Sequence, residues 1–287
     1  MRRISLCLFC LGVAAIFAAL VPTRALAVPM ALIDPNLPGN TQYDGWNSGS
    51  LTLPANPGYG GFPGSSAWPS PIGSSAAGSG DGNLNKVANG PGGGPYPAGA
   101  AIYYGGFSAA LNFNGGTLSV TDATPVTDLK NVAFQIQIGE AWTYDFFNGT
   151  LPTLSYNGGA QTLVADTSTL LEQFDAGTVT MPTGEETVYI NTYLLQWDLS
   201  NIGDGPITDF GISFTGVQHA QLYALQLDQS DEFPASEAAA VPEPGTYLLS
   251  GIGGLGLLAA CVLHRRQRQA RRDPASSSIR CKAQAAG

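Results

Sequence analysis

The chain has 287 residues, 11% of them charged, with a formal net charge of −9 and an isoelectric point near 4.5. That length is enough to bury a conventional core, while the acidic balance argues against a surface built to bind a phosphate backbone. Nucleic acid is not an expected partner.

Arg2 and Arg3 precede an apolar stretch from Leu6 to Leu20, Pro22 breaks it, and Ala25-Leu26-Ala27 has the small-x-small form cut by signal peptidase. Residues 1–27 are thus read as a signal peptide, with Ala25 and Ala27 marking the cleavage site and Val28 opening the mature protein. An uncleaved N-terminal anchor is the alternative, less suited to so short an apolar core. The exported region, residues 28–240, holds Lys86, Lys130, no arginine and nineteen Asp and Glu, a formal charge of −17. Such a surface repels anionic lipid and acidic polysaccharide unless divalent cations intervene; a solvated acidic face that aids solubility is the plainer reading. Cys7, Cys10, Cys261 and Cys281 all lie outside this region. It is therefore expected to fold without disulfides and to offer neither a thiolate metal site nor a cysteine nucleophile.

Of the 44 residues from Pro57 to Ala100, 26 are Gly, Pro or Ser. Too few apolar groups remain to offset chain entropy, which predicts a long irregular loop over residues 57–100. Tyr59, Phe62, Trp68 and Tyr96 punctuate it, either pinning it to the domain or, as with Trp68, presenting a ring for a sugar to stack on. Asp81-Gly82-Asn83-Leu84-Asn85 copies the odd-position oxygens of a calcium loop. Lys86 stands where such a loop requires Gly, and Gly92 where it requires Glu, so an EF-hand is excluded and only a loose calcium site stays open.

From Ile102 onward the period is two. Phe107, Ala109, Leu111 and Phe113 alternate with small or polar residues, as do Val132, Phe134, Ile136 and Ile138, which predicts half-buried strands. Further runs are Trp142–Phe147, Thr153–Tyr156, Thr162–Ala165, Val188–Leu199, Phe210–Phe214 and Gln221–Leu227. Asn114-Gly115-Gly116, Asn157-Gly158-Gly159 and Gly203-Asp204-Gly205 signal turns, and Thr167–Phe174 reads as a turn or two of helix. Eight or nine short strands so punctuated predict an all-β fold, an antiparallel β-sandwich of jelly-roll type.

Chemistry-bearing residues are sparse. Glu140 and Asp145 flank Trp142 and Tyr144, the best local cluster of acid and aromatic groups. Alternation places Trp142, Tyr144 and Phe146 on one face, which suits core packing better than a sugar platform or a cleft with paired carboxylates. His219 is the only histidine of the exported region. A zinc site or a Ser-His-Asp triad would have to be built on it alone, so a structural histidine is the plainer reading.

At the C-terminal end, Val241-Pro242-Glu243-Pro244 is held extended by its two prolines. Thr246–Leu263 follows without a charge. As a helix of about 1.5 Å per residue it would span roughly 27 Å, close to a hydrocarbon core of about 30 Å. Arg265, Arg266, Arg268, Arg271 and Arg272 would then hold that end in the cytoplasm, with a tail over residues 273–287. This layout over residues 241–272 resembles the PEP-CTERM sorting domain of exported Gram-negative proteins, with Val241–Pro244 standing as its VPEP motif. The resemblance implies handling by an exosortase, a membrane-embedded transpeptidase that cuts near Pro-Glu-Pro and releases or re-anchors the exported part. It also implies a host that builds exopolysaccharide or biofilm matrix. The expected protein is a non-catalytic envelope or matrix component carrying no cofactor beyond the open calcium site. Its expected partners are signal peptidase, an exosortase and exopolysaccharide, contacted through Trp68, Trp142 or Tyr144. The rival is a secreted glycan-cleaving enzyme on the same fold.

Overall fold

The computed structural model describes residues 29–59, 67–77, 80–106, 110–181, 184–203 and 205–234. The signal peptide, the sorting signal and the C-terminal tail lie outside the described residues, as do Phe62, Phe107 and Ala109. Within them, the strands in chain order are β1 (Thr41–Trp46), β2 (Ile72–Gly73), β3 (Asn83–Asn89), β4 (Tyr96–Pro97), β5 (Ile102–Tyr103), β6 (Asn114–Asp122) and β7 (Asn131–Gly139). They continue with β8 (Thr153–Tyr156), β9 (Leu163–Val164), β10 (Thr167–Met181), β11 (Gly184–Asp198), β12 (Phe210–Val217) and β13 (Gln221–Ser230).

Two antiparallel sheets result. Sheet A runs β10-β11-β7-β13, with β5 and β1 both pairing the outer edge of β13 and β4 beyond β5; sheet B runs β2-β3-β6-β12-β8-β9. Val132, Phe134, Ile136 and Ile138 of β7 point inward, and Phe134 meets Phe214 of β12 across the sandwich with ring centroids 5.9 Å apart. The period-two reading thus finds its sandwich: the runs at 132–138, 153–156, 210–214 and 221–227 fall in strands, and those at 162–165 and 188–199 do so apart from Thr162, Ala165 and Leu199. Asn157 and Gly158, with φ of 52° and 61°, make the expected turn between β8 and β9. The core lies inside one compact unit that ends at Phe233.

β7 departs from a half-buried strand because both its faces are buried. The second cover is an extended strap, residues 29–38, laid over the outer face of sheet A. Gln135 accepts from the Ile33 N–H at 3.1 Å and donates to the Ile33 carbonyl, which also takes the Gln226 amide at 2.8 Å. Gln137 donates to the Met30 carbonyl at 3.0 Å, and Glu172 accepts the Met30 N–H at 2.7 Å. These glutamines are partners for a backbone that would otherwise lie unsatisfied on the sheet.

Five expectations are corrected. The stretch 57–100 is not one loop: β2 and β3 lie in it, β3 pairs β6, and Leu84 is fully buried between the sheets. Its glycines serve close backbone approach. A Cβ on Gly94 would stand 2.3 Å from the Gly105 nitrogen, and one on Gly116, itself at φ 114°, would stand 2.5 Å from the Gly94 carbonyl. Asn114-Gly115-Gly116 is accordingly the start of β6, which bulges at Gly115 opposite Gly216 and Val217, and not a turn. Thr167–Phe174 is no helix but the first half of β10; bulges at Leu170/Glu172 and Asp175/Thr178 shift the side-chain parity and hide its alternation. Trp142–Phe147 is a tight turn, with Ala141 and Tyr144 exchanging both backbone hydrogen bonds at 2.7 and 3.0 Å. Nor is Leu111 on a half-buried strand: Leu111 and Asn112 form a turn with Leu111 exposed.

Candidate functional site

The turn at Ala141–Tyr144 and the β12–β13 connection meet at one end of sheet A. Among the described residues eight non-glycine positions have positive φ, and five are Asn or Asp, which tolerate it. The other three are Trp142 (51°), Thr143 (68°) and His219 (75°), all at this end. Strain of this kind persists only where surroundings over-determine it, and it concentrates at functional sites.

The side chains that sequence reading treated separately are here brought together. Trp142 is 5% exposed and meets His219 edge-on at 5.0 Å. His219 Nδ1 and the Tyr103 hydroxyl are 2.6 Å apart. Glu140 is 8% exposed, and its Oε1 accepts the Tyr189 N–H at 3.3 Å. Burial, and after it the charge of Asp145, raises the Glu140 carboxyl above its ordinary range, with the Tyr189 N–H and the Asn191 amide pulling the other way. Asp145 Oδ2 accepts from the Tyr193 hydroxyl at 2.7 Å and the Asn191 amide at 3.1 Å, while Oδ1 accepts the Phe146 N–H at 2.7 Å. Burial first, then Asp145, pushes the Tyr193 phenol upward, which keeps it a donor. A cavity of about 270 Å³ opens beside Glu140, His219, Tyr103, Gln221 and Tyr223.

The residues expected to touch sugar separate. Trp142 packs in the core and offers no open ring face; its turn dihedrals, not strand alternation, set its direction. Tyr144, 36% exposed, does not share its face. Trp68 is half-buried, packed against the core with its ring 5.7 Å from that of Tyr59, so it pins its segment to the domain. Tyr103, Tyr193 and Asn191 were missed. The pairing of Tyr103 opposite Gln221 carries the only relevant signal, and it is a long-range one.

The Asp81 loop is not wrapped as a calcium loop. The Asn83 amide donates to the Asp81 carbonyl at 2.6 Å, the Asn85 amide donates to Thr121 Oγ1 at 2.8 Å, and Asp81 accepts from Thr124 Oγ1 at 2.7 Å. Among the described residues no group of three His, Cys, Asp or Glu side chains is disposed to hold a metal ion. Asp44 nevertheless lies near Asp81 and Asp122, fully buried, and neither of its oxygens completes a hydrogen bond among the described residues. Burial and then Asp122 push its carboxyl to about 6, although the Gly82 N–H and the Ser74 hydroxyl lean toward it. Asp228, on the outer face of sheet A, is pushed to about 7 by burial and by Asp34 and Asp44, against the Gln226 amide.

Residues 240–266 match the PEP-CTERM protein-sorting motif, the signal of an exported protein sorted by an exosortase. No curated protein and no solved structure matches the chain. Among the described residues no helix is long and apolar enough to cross a membrane; Thr246–Leu263 lies outside them.

Proposed function

We propose that the exported domain is a non-catalytic component of the cell envelope or extracellular matrix that associates with exopolysaccharide. The sorting motif at 240–266 carries the reading, because it ties the chain to export and exosortase handling. The acid pair supports the non-catalytic half. A glycosidase nucleophile or base needs a carboxylate free to reach substrate, whereas both oxygens of Asp145 are held by donors. The rival, a glycan-cleaving enzyme, would draw on the raised carboxyl of Glu140, which has the environment of a general acid.

In this reading signal peptidase removes residues 1–27, the apolar helix and arginines hold the chain in the inner membrane, and an exosortase then acts near Pro242–Pro244. Tags placed before Pro242 and after Arg272 should separate on fractionation, the first leaving the inner membrane and the second staying. Glu243→Ala should keep them together by removing the charge between the prolines while sparing the anchor. A wild-type chain that retains both tags on one membrane-bound product contradicts the reading.

A further inference from the structure

The Asp81 loop does not wrap an ion by itself, but another strand brings a carboxylate to it. Asp44 of β1 is fully buried, and neither of its oxygens completes a hydrogen bond among the described residues. Its carboxyl lies against the backbone of that loop: a Cβ on Gly82 would stand 2.7 Å from Asp44 Cγ and 2.8 Å from Oδ2. The charges that bear on it are those of Asp122 and Asp81, both of its own sign. Asp81 in turn reaches the Asp122 carboxyl. Carboxylates this close require a proton or a cation among them, and a buried carboxyl without a donor is costly.

The elements that carry these groups are tied to one another. The Gly80 N–H donates to the Tyr43 carbonyl at 2.9 Å and the Ser74 N–H to the Gly82 carbonyl at 3.3 Å, so β1, β2 and the loop before β3 hold Asp44 and Asp81 in place. Asp122, at the end of β6, is already saturated: Oδ1 accepts the Thr124 N–H at 2.8 Å, and Oδ2 accepts from Gln42 at 3.2 Å and from Gln229. It is a supporting charge and not a ligand, which fits the failure of any three acidic side chains to converge on one point among the described residues. Asp44 and Asp81 remain. Asp81 is exposed, so an ion has a way in from solvent.

The donor set decides the ion. It consists of carboxylate, hydroxyl and carbonyl oxygens; the exported region has no cysteine, and its histidine, His219, is engaged with Tyr103 and Trp142. Such a set suits a hard cation and not zinc. Calcium takes an irregular shell completed by backbone carbonyls and water, where magnesium demands a regular octahedron.

We propose that Asp44 and Asp81 hold a calcium ion that staples β1 to the loop before β3, in an exported region with no disulfide to do so. This staple acts whatever the domain binds. The test melts the full chain in non-ionic detergent at neutral pH by tryptophan fluorescence, since every tryptophan lies in the exported region. Melts are run in EDTA and in about 10 mM calcium or magnesium, above the roughly 0.1–1 mM dissociation constants of extracellular calcium modules. Equilibrium dialysis against radioactive calcium counts the bound ions. Calcium should raise the wild-type melting temperature roughly 3–10 °C above its value in magnesium. Asp44→Asn and the exposed Asp81→Asn should each abolish that excess, measured against their own EDTA baselines, and each should bind one ion fewer than wild type. Glu185→Gln, which removes an exposed charge elsewhere, should keep both the excess and the ion. Equal shifts in calcium and magnesium would mean screening of an acidic surface with no site, and an excess that survives both Asp variants would place the ion elsewhere; either result overturns the proposal. So does a wild-type chain that binds no ion, which leaves Asp44 buried with its proton.

Discussion

The exported domain should unfold at lower temperature as pH rises from about 5 to 8. Asp44 and Asp228 have folded-state carboxyls at about 6 and about 7, and burial also raises Asp122 and Glu140. A group whose folded pKa lies above its unfolded value of about 3.9 binds its proton more tightly when folded. Its contribution is complete below about pH 4 and is lost as pH climbs through 6 and 7. For Asp44, fully buried and facing Asp81 and Asp122, the loss is on the order of 2 kcal/mol, or roughly 4–8 °C for a domain of this size. General repulsion among the nineteen carboxylates acts in the same direction. Asp44→Asn separates the two contributions: it should raise the melting temperature at pH 8 and flatten the profile between pH 5 and 8. A melting temperature that rises with pH, or an Asp44→Asn domain less stable at pH 8, contradicts the placement of Asp44.

Leu84→Ala should cost about 2–5 kcal/mol and lower the melting temperature by roughly 5–15 °C. Leu84 is fully buried in β3, pairs Val120 of β6, and sits within the stretch richest in Gly, Pro and Ser. Val87→Ala, on the same strand but 58% exposed, should stay within about 0.5 kcal/mol. Near-equal effects of the two, by differential scanning fluorimetry at pH 7, would mean that the segment is dispensable after all.

The contrast between Leu84 and its surroundings shows why part of the fold was legible and part was not. β7 was readable because its inward residues Val132, Phe134, Ile136 and Ile138 keep strict alternation, and β13 was readable by its apolar run although a bulge between Leu222 and Ala224 shifts its parity. β3 was not, because its strand status depends on β6 and on glycines whose purpose is backbone approach, a relation that no local window contains. β10 failed for the opposite reason: its alternation is local, but two bulges reverse its parity. At the site, the acid–aromatic run from Glu140 to Asp145 was visible, and so was the solitary His219. Their meeting was not, since it is made by left-handed turns at Trp142, Thr143 and His219 in residue types that do not advertise them. The sorting signal was legible throughout because its three parts are contiguous and each acts by local physics, namely rigid prolines, apolar length and terminal charge.

The central claim is association with polysaccharide without turnover. The purified exported domain is incubated with the host's unfractionated exopolysaccharide, with and without EDTA, while pull-down and new reducing ends are followed together. The expected result is binding with no reducing ends formed; loss of that binding in the chelator marks a cation bridge from an anionic chain to a surface of formal charge −17, and its survival marks a neutral chain. Sustained release of reducing ends that Glu140→Gln abolishes would contradict it and establish a glycan-cleaving enzyme instead.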